Sequence, residues 1–282
     1  MGIDYTVCFP TPMLNLGLHP QMEVERAIAR GYARWMTERV LPEDPSIKTM
    51  LYLPFGDPEA TLKLIEDFSG KPGVVGFMVT SVRYRPIHDR AYAPVFGALE
   101  ERGLPLAFHG AHNWMDRTMD QLNRFISAHA LGFPFFNMIQ LTNVVINGIP
   151  ERFPKLKFIW MEGGLAWVIF LMQRLDSEYM MRTSEAPLLR KRPSDYMRDM
   201  YYTTQPMERP ADDVLEKTFE QINATERLMY SSDYPHWDFD LPSVIYDLPF
   251  IDETSKRRIL GGNAMELFGL PQPPTLLPDE KA

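Results

Sequence analysis

The sequence predicts a parallel α/β barrel, and three observations support this fold class. Short apolar segments alternate with longer segments of helical pattern along most of the chain. Several short segments are almost continuously apolar, such as Val-Val-Gly-Phe-Met-Val at 74–79, which is expected of parallel strands covered on both faces. Polar, glycine and histidine residues follow three distant strands, as in barrels that carry their chemistry at the carboxyl ends of the strands.

The pattern predicts seven strands, at residues 5–9, 49–53, 74–79, 105–109, 157–162, 200–204 and 227–232. Helices are predicted at 20–39, 58–68, 90–102, 115–130, 135–146, 165–179 and 211–222. An open doubly wound sheet would place its ligand at one switch point, so candidate sites on three strands favour the barrel. A closed barrel of this type has eight strands, and we therefore expect a (β/α) barrel of TIM type that lacks one strand.

Composition indicates an ordinary globular protein of 282 residues, with 45% hydrophobic and 23% charged residues. We predict one barrel domain over residues 1–270. Residues 271–282 contain four prolines and mixed charges, which predicts a C-terminal tail on the surface. The single cysteine, Cys8, excludes an internal disulfide and a cysteine-based zinc site.

Charge and hydropathy exclude several classes of partner. The formal net charge of −8 gives no basic surface for nucleic acid, and the basic stretch at 182–198 is interrupted by acidic residues and prolines. We find no apolar run of membrane-spanning length and no signal-peptide pattern at the first residues. The expected location is cytoplasmic and the expected partner is a small molecule.

Two residues at predicted strand ends could bind a metal. His109 ends an apolar strand, where a neutral imidazole is a natural ligand of zinc, although it could instead bond to a loop carbonyl. Asp233 follows Leu-Met-Tyr-Ser-Ser, and a carboxylate at the end of a buried strand needs a cation or a proton. It is a candidate metal ligand or catalytic base, with a turn or helix-cap aspartate as the alternative.

Glu162 is the candidate general acid or base. It closes the strand Phe-Ile-Trp-Met and is followed by two glycines, which allow a close approach of substrate or backbone. The alternative is a carboxylate that interacts with the dipole of the next helix. The candidate substrate contacts are His129, Trp114 and His236. Each also has a purely structural alternative: His129 as a partly buried histidine of a helix, Trp114 as a core residue and His236 as a loop residue. Phosphate-loop and nucleophile-elbow motifs are absent from the sequence.

With these residues in view, the chain resembles the amidohydrolase-related family that includes 2-amino-3-carboxymuconate semialdehyde decarboxylase. The resemblance covers nearly the whole chain, and its specificity comes from the order and spacing of several segments. They are Leu-Pro-Leu-Ala-Phe-His at 104–109, Phe-Pro-Phe-Phe-Asn-Met at 133–138, Gly-Ile-Pro-Glu-Arg-Phe-Pro at 148–154, Glu-Gly-Gly-Leu-Ala-Trp at 162–167, Ser-Asp-Tyr-Pro-His at 232–236 and Gly-Asn-Ala at 262–264.

The resemblance implies a TIM barrel with one divalent metal, usually zinc. It implies that His109 is a metal ligand and that Asp233 binds metal or moves protons. In the decarboxylase of this family, a histidine serves as acid or base at the position that Glu162 occupies here. The resemblance also places His129 near a position that stacks against the substrate. The family begins with a strand bearing His-x-His, which this sequence lacks. We therefore expect the first strand to be missing, an incomplete ligand set, and weak or no zinc binding.

We first expect a metal-dependent hydrolase, with Glu162 acting on a small, carboxylated or cyclic substrate through a metal-bound water. A non-oxidative decarboxylase of an aromatic or muconate-like acid is the second hypothesis. The third is a non-catalytic barrel that has lost its metal site. Because a barrel that lacks a strand exposes an unpaired edge, we also expect a homo-oligomer.

Overall fold

The computed structural model describes residues 2–114, 116–209 and 211–273. Seven parallel strands form one sheet in which each strand pairs with the next along the chain. The strands are β1 Thr6–Cys8, β2 Ile47–Tyr52, β3 Val74–Thr80, β4 Leu106–His109, β5 Phe158–Met161, β6 Tyr201–Thr203 and β7 Leu228–Met229. Among the described residues, β1 and β7 each pair on one side only, so the TIM-like sheet is an open half-barrel, as the sequence predicts.

Helices connect the strands and cover the sheet. They are α1 Met22–Trp35, α2 Pro58–Phe68, α3 Ala93–Glu101, α4 Phe125–Ile146, α5 Ile149–Arg152, α6 Ala166–Met181, α7 Pro193–Met197, α8 Asp212–Gln221, α9 Ala224–Arg227, α10 Ser243–Tyr246, α11 Glu253–Arg257 and α12 Asn263–Phe268. The segments Met36–Val40 and Arg258–Gly262 are π-helical turns that follow α1 and α11. In the described part of the chain, no helix is both long and apolar enough to cross a bilayer.

Local sequence explains why some boundaries agree with the prediction. The bounds of α2 match because Asp57 caps it, accepting hydrogen bonds from the amides of Glu59 and Ala60 at 3.1 Å, while Pro58 occupies its first turn. The last strand is shorter than predicted. The Tyr230 amide bonds to the Ile259 carbonyl instead of to β6, so the chain leaves the sheet after Met229.

The prediction of two helices at 115–130 and 135–146 is wrong. Met115 lies outside the described residues, and residues 116–124 form turns, in which Asp116 accepts a 2.9 Å bond from the Thr118 amide. The single helix α4 then runs through Gly132 and Pro134. Burial against β4 and α6 stabilises it despite these two residues, because its buried positions are spread along its whole length.

The core lies between the sheet and its covering helices. All seven residues of β3 are buried, and β2, β4 and β5 are buried through most of their length. Phe108 of β4 stacks on Trp160 of β5 with ring centroids 4.5 Å apart. The division into a domain at 1–270 and a tail stays a prediction, since residues 274–282 lie outside the described part of the chain.

Close packing of β3 gives a direct test of this core. A Cβ at Gly76 would lie 2.6 Å from the Met50 methyl and 2.9 Å from the Pro105 carbonyl oxygen, so we expect Gly76→Ala to lower the free energy of unfolding by about 1–3 kcal/mol. Gly97 of α3 is the matched control, because its nearest neighbour would be Phe153 at 3.8 Å. Gly97→Ala should be neutral or stabilising by up to about 1 kcal/mol. Urea unfolding measures both, and equal effects would contradict this packing.

Candidate metal and catalytic site

His109 stands at the carboxyl end of β4, beside Thr80 of β3 and Met161 of β5. The side chain is buried. Its Nδ1 lies 2.7 Å from the Gly110 carbonyl oxygen, and because a carbonyl only accepts, Nδ1 must carry the proton. The other ring nitrogen, Nε2, lies 2.8 Å from Glu162 Oε2. A backbone carbonyl thus orients the imidazole and turns Nε2 toward the carboxylate.

Glu162 follows β5 in a left-handed backbone conformation, with φ at 50°, which is uncommon outside glycine. The turn continues through Gly163 and Gly164. A Cβ at Gly164 would lie 2.1 Å from the carboxylate of Glu208, which accepts a 2.9 Å bond from the Leu165 amide. The two glycines therefore allow the chain to turn sharply into α6 while the Glu162 side chain reaches His109.

Asp233 and His236 come from the segment after β7. Asp233 also has a positive φ, 59°, and its carbonyl accepts a 2.9 Å bond from the His236 amide, which closes a tight turn. Its Oδ2 lies 2.9 Å from His236 Nδ1. His236 Nε2 lies 3.4 Å from the hydroxyl of Thr11, just after β1. Residues from both ends of the sheet thus meet at this site.

Burial and charge perturb the acid–base behaviour of the cluster. Burial raises the pKa of Asp233 to about 6, the charge of Glu162 adds to this effect, and His236 opposes it. Burial lowers the pKa of His109, but the charge and hydrogen bond of Glu162 outweigh it and raise the pKa overall. Both groups therefore keep their protons to higher pH than the free side chains do, as is common where acid–base chemistry occurs.

The donor set fits a divalent cation. Glu162, Asp233 and His236 each offer one ligand atom, and the three atoms lie within 4.8 Å of one another. Carboxylate oxygen and imidazole nitrogen are ligands of zinc and of manganese. The three side chains would have to move inward for all three atoms to bind one ion.

An aromatic wall stands beside the cluster. We define it as Phe125, His129 and Phe133 of α4 together with His112, Trp114 and Trp237. The three α4 residues recur every four positions and share one face of the helix. His129 is central, with ring centroids 5.2 Å from Phe125, 5.0 Å from Phe133, 5.6 Å from Trp237 and 6.2 Å from His112. The Trp114 ring lies 6.0 Å from His112, at the outer end.

The wall adjoins the donor cluster through Gly110. A Cβ at this residue would lie 2.8 Å from the Glu162 carbonyl oxygen and 3.0 Å from the Phe133 ring. Trp237 is next in the chain to His236, which belongs to the cluster. A flat, apolar molecule bound at the cluster would therefore meet aromatic rings on this side.

The structure brings together His109, Glu162 and Asp233, the three residues that the sequence singles out at strand ends. It places His129 and Trp114 in the adjacent wall. His236, expected as a substrate contact, stands with Glu162 and Asp233 among the potential metal donors. His109, which the sequence suggested as a ligand together with Asp233, lies beside Glu162 but does not belong to this group of described residues. Trp237, which we did not single out from the sequence, is 77% exposed, because the turn at 233–236 carries it outward. In the sequence, only its position directly after His236 indicated that it could lie at the site.

Comparison with known proteins identifies the family. The sequence profile of the amidohydrolase family matches residues 2–270, so the chain belongs to this family, and the resemblance noted from the sequence is confirmed. Two curated relatives are named as decarboxylases. The 2-amino-3-carboxymuconate-6-semialdehyde decarboxylase of Dictyostelium discoideum is 22% identical over 71% of this chain, and this chain spans only 54% of that protein. The gamma-resorcylate decarboxylase of Polaromonas sp. is 23% identical over 86% of this chain and 76% of its own length.

Solved structures confirm the fold class. An amidohydrolase from Mycobacterium avium subsp. paratuberculosis superposes with a TM-score of 0.82 at 19% identity, covering 94% of this chain and 70% of its own. A dihydroxybenzoic acid decarboxylase from Polaromonas sp., described with bound manganese and the inhibitor 2-nitroresorcinol, gives a TM-score of 0.74 at 19% identity. That match covers 89% of this chain and 77% of its own.

The raised pKa of Asp233 predicts a pH dependence of stability in the metal-free protein. With a pKa of about 6 when folded and about 3.9 when unfolded, the folded state binds this proton more tightly. The resulting stabilisation is complete below about pH 4 and is lost as the pH rises through 6. In EDTA, the unfolding free energy of the wild type should thus fall relative to that of Asp233→Asn over this range. The exposed Asp247→Asn serves as control, and parallel curves for wild type and Asp233→Asn would contradict the assignment.

Proposed function

We propose that this protein is a metal-dependent, non-oxidative decarboxylase of a small aromatic or muconate-like carboxylic acid. The observation that carries the proposal is the convergence of Glu162, Asp233 and His236 beside an aromatic wall. The names of both curated relatives, a muconate-semialdehyde decarboxylase and a resorcylate decarboxylase, support this hypothesis over the hydrolase first expected from the sequence.

In our assignment, Glu162, Asp233 and His236 hold a divalent cation, zinc or manganese. Such a cation supplies positive charge that attracts the substrate carboxylate and stabilises negative charge as the reaction proceeds. Asp233 and His236 are well suited to act together because their side chains already lie 2.9 Å apart. The Thr11 hydroxyl, on the other ring nitrogen of His236, helps to fix the orientation of that imidazole.

Decarboxylation needs a proton at the carbon that loses its carboxylate. That carbon gains the proton, the bond to the carboxyl group breaks, carbon dioxide leaves, and the electron pair of the broken bond restores the unsaturated system. His109 is the proton donor in our assignment, because its Nε2 faces the cluster and lies 2.8 Å from Glu162. The Gly110 carbonyl accepts a hydrogen bond from Nδ1 of the same ring, and this bond keeps Nε2 in place during the transfer.

The aromatic wall would bind the body of the substrate. His129 and Trp237, whose rings lie 5.6 Å apart, would stack against an unsaturated ring or chain, and Trp114 would close the outer end. Such contacts place the carboxyl group at the cluster and exclude water from it. The expected homo-oligomeric state and cytoplasmic location stay predictions.

Metal content tests the ligand assignment. Because His236 can serve as a third donor, we replace the weak zinc binding expected from the sequence with a stoichiometric site. After dialysis against Mn²⁺ or Zn²⁺ and removal of the excess, elemental analysis should find one equivalent in the wild type. Asp233→Asn and His236→Ala should lose it, and His109→Ala should keep it, with the exposed His88→Ala as control. Loss of metal from His109→Ala would instead make His109 a ligand and Glu162 the acid or base, as the sequence suggested. A wild type without metal would contradict the proposed site.

Activity tests the reaction. Carbon dioxide release from 2,6-dihydroxybenzoate or 5-carboxyvanillate should be detectable in the metal-loaded protein, and His109→Ala should lower kcat by about 100-fold or more. Trp237→Ala should raise KM by about tenfold, because stacking on an aromatic ring contributes roughly 0.5–1.5 kcal/mol. The matched control is the exposed Trp35→Ala on α1, which should leave KM unchanged.

The hydrolase is the second candidate, favoured by the carboxylate of Glu162 beside a possible cation site. There Glu162 would take a proton from the attacking water, and a cyclic amide or ester would be opened. Ring opening without carbon dioxide release would favour this hydrolase. An intact fold that binds no metal and shows neither activity would favour the non-catalytic barrel.

A further inference from the structure

A cavity with a volume of about 300 Å³ lies at the carboxyl ends of β2 and β3, and its lining combines apolar and charged residues. Its floor includes Glu25, Phe55 and Thr80, and its opening is bordered by the exposed residues His19 and Tyr84. Two arginines, Arg83 and Arg85, line the same space. Small-molecule sites are commonly of this size and combine an apolar wall with a few fixed polar groups.

Arg83 is held in one orientation by several groups. Its guanidinium lies over the Phe55 ring at 4.8 Å and near the Tyr92 ring at 5.3 Å. Nε donates to the Arg85 carbonyl at 2.6 Å, and Nη2 donates to the Tyr92 hydroxyl at 2.7 Å and the Phe55 carbonyl at 3.3 Å. Among the described residues, Nη1 has no hydrogen-bond acceptor. A fixed guanidinium with a free N–H edge is suited to bind a carboxylate.

Glu25 does not neutralise this edge directly. Its carboxylate is buried and accepts bonds from the Tyr52 hydroxyl at 2.8 Å and the Gly56 amide at 3.1 Å. In the described part of the chain, no ion pair joins Glu25 to Arg83. Arg85 adds a second positive charge, with its Nε paired to Asp89 at 2.9 Å. Met22 and Val79 provide apolar surface in the same cavity.

Residues 11–18 contact both this cavity and the metal donors. Thr11 contacts His236 of the donor cluster, whereas Gly17 packs against Thr80 and Tyr52, where a Cβ would lie 3.2 Å and 3.4 Å from their oxygens. A ligand in the cavity would therefore lie near Gly17 and the arginines, while a cation would be held near Thr11.

We propose that this cavity binds a small organic carboxylate independently of the metal donors. The carboxylate bonds to Arg83 Nη1 and to the guanidinium of Arg85, and the apolar body of the ligand lies against Met22, Phe55 and Val79. Because no metal donor takes part, binding persists in EDTA and does not depend on the decarboxylase proposal.

The test uses the fluorine NMR signal of 4-fluorobenzoate, titrated with the full chain in EDTA. Binding should broaden and shift the signal, and the neutral 4-fluorobenzamide should not bind. Arg83→Met should raise Kd by about tenfold or more, since it removes a charged hydrogen bond. Arg85→Met, at a partly exposed residue, gives a second reading if Arg83→Met does not fold. The exposed Arg39→Met is the charge-matched control, and Asp233→Asn should bind as the wild type does.

Several results would overturn this proposal. The first is that 4-fluorobenzoate does not bind, and the second is that 4-fluorobenzamide binds equally well. The third is that the Kd of 4-fluorobenzoate changes in Asp233→Asn but in neither arginine variant. Inorganic phosphate that competes as well as unlabelled benzoate would also overturn it, because the cavity would then select charge alone.

Discussion

Every strand of this sheet pairs in parallel with its neighbour in sequence, and this constraint shapes both the core and the site. It sends all seven carboxyl ends to one edge, so residues far apart in the chain, such as His109, Glu162 and Asp233, emerge side by side. The helices must then cross back over the outer face and bury it, while the inner face is filled by side chains of the strands themselves. The same parallel strand order therefore produces both the site and the core.

That constraint brings acidic groups close together in a partly buried place, where isolated carboxylates are costly. Two local features reduce the free-energy cost of this arrangement. Histidines stand next to the carboxylates, His109 at Glu162 and His236 at Asp233, and provide protons or hydrogen bonds. Left-handed backbone at Glu162 and Asp233 turns the chain sharply after each strand. A cation would replace protons in this balance of charge, which connects the electrostatics of the cluster to the proposed chemistry.

The same edge carries two different polar environments. Around β4, β5 and β7 it gathers imidazoles, carboxylates and the aromatic wall. Around β2 and β3 it gathers arginines stacked on aromatic rings, with Glu25 buried beside them. The segment at 11–18 touches both. Within one amidohydrolase-family fold, the loops after different strands thus form two polar environments of different chemistry, as parallel barrels allow.

The alternation of strands and helices, the parallel class and the family could all be predicted before the fold was known. Strands buried on both faces leave continuous apolar segments, and the order and spacing of the family motifs can be read directly from the sequence. It also singled out His109, Glu162 and Asp233, since each directly follows a buried strand. It did not predict that His236 stands beside Asp233 as a possible donor, that Trp237 is exposed at the site, or that α4 is one helix through Pro134. These depend on backbone turns and on packing between distant segments, which local propensity does not encode.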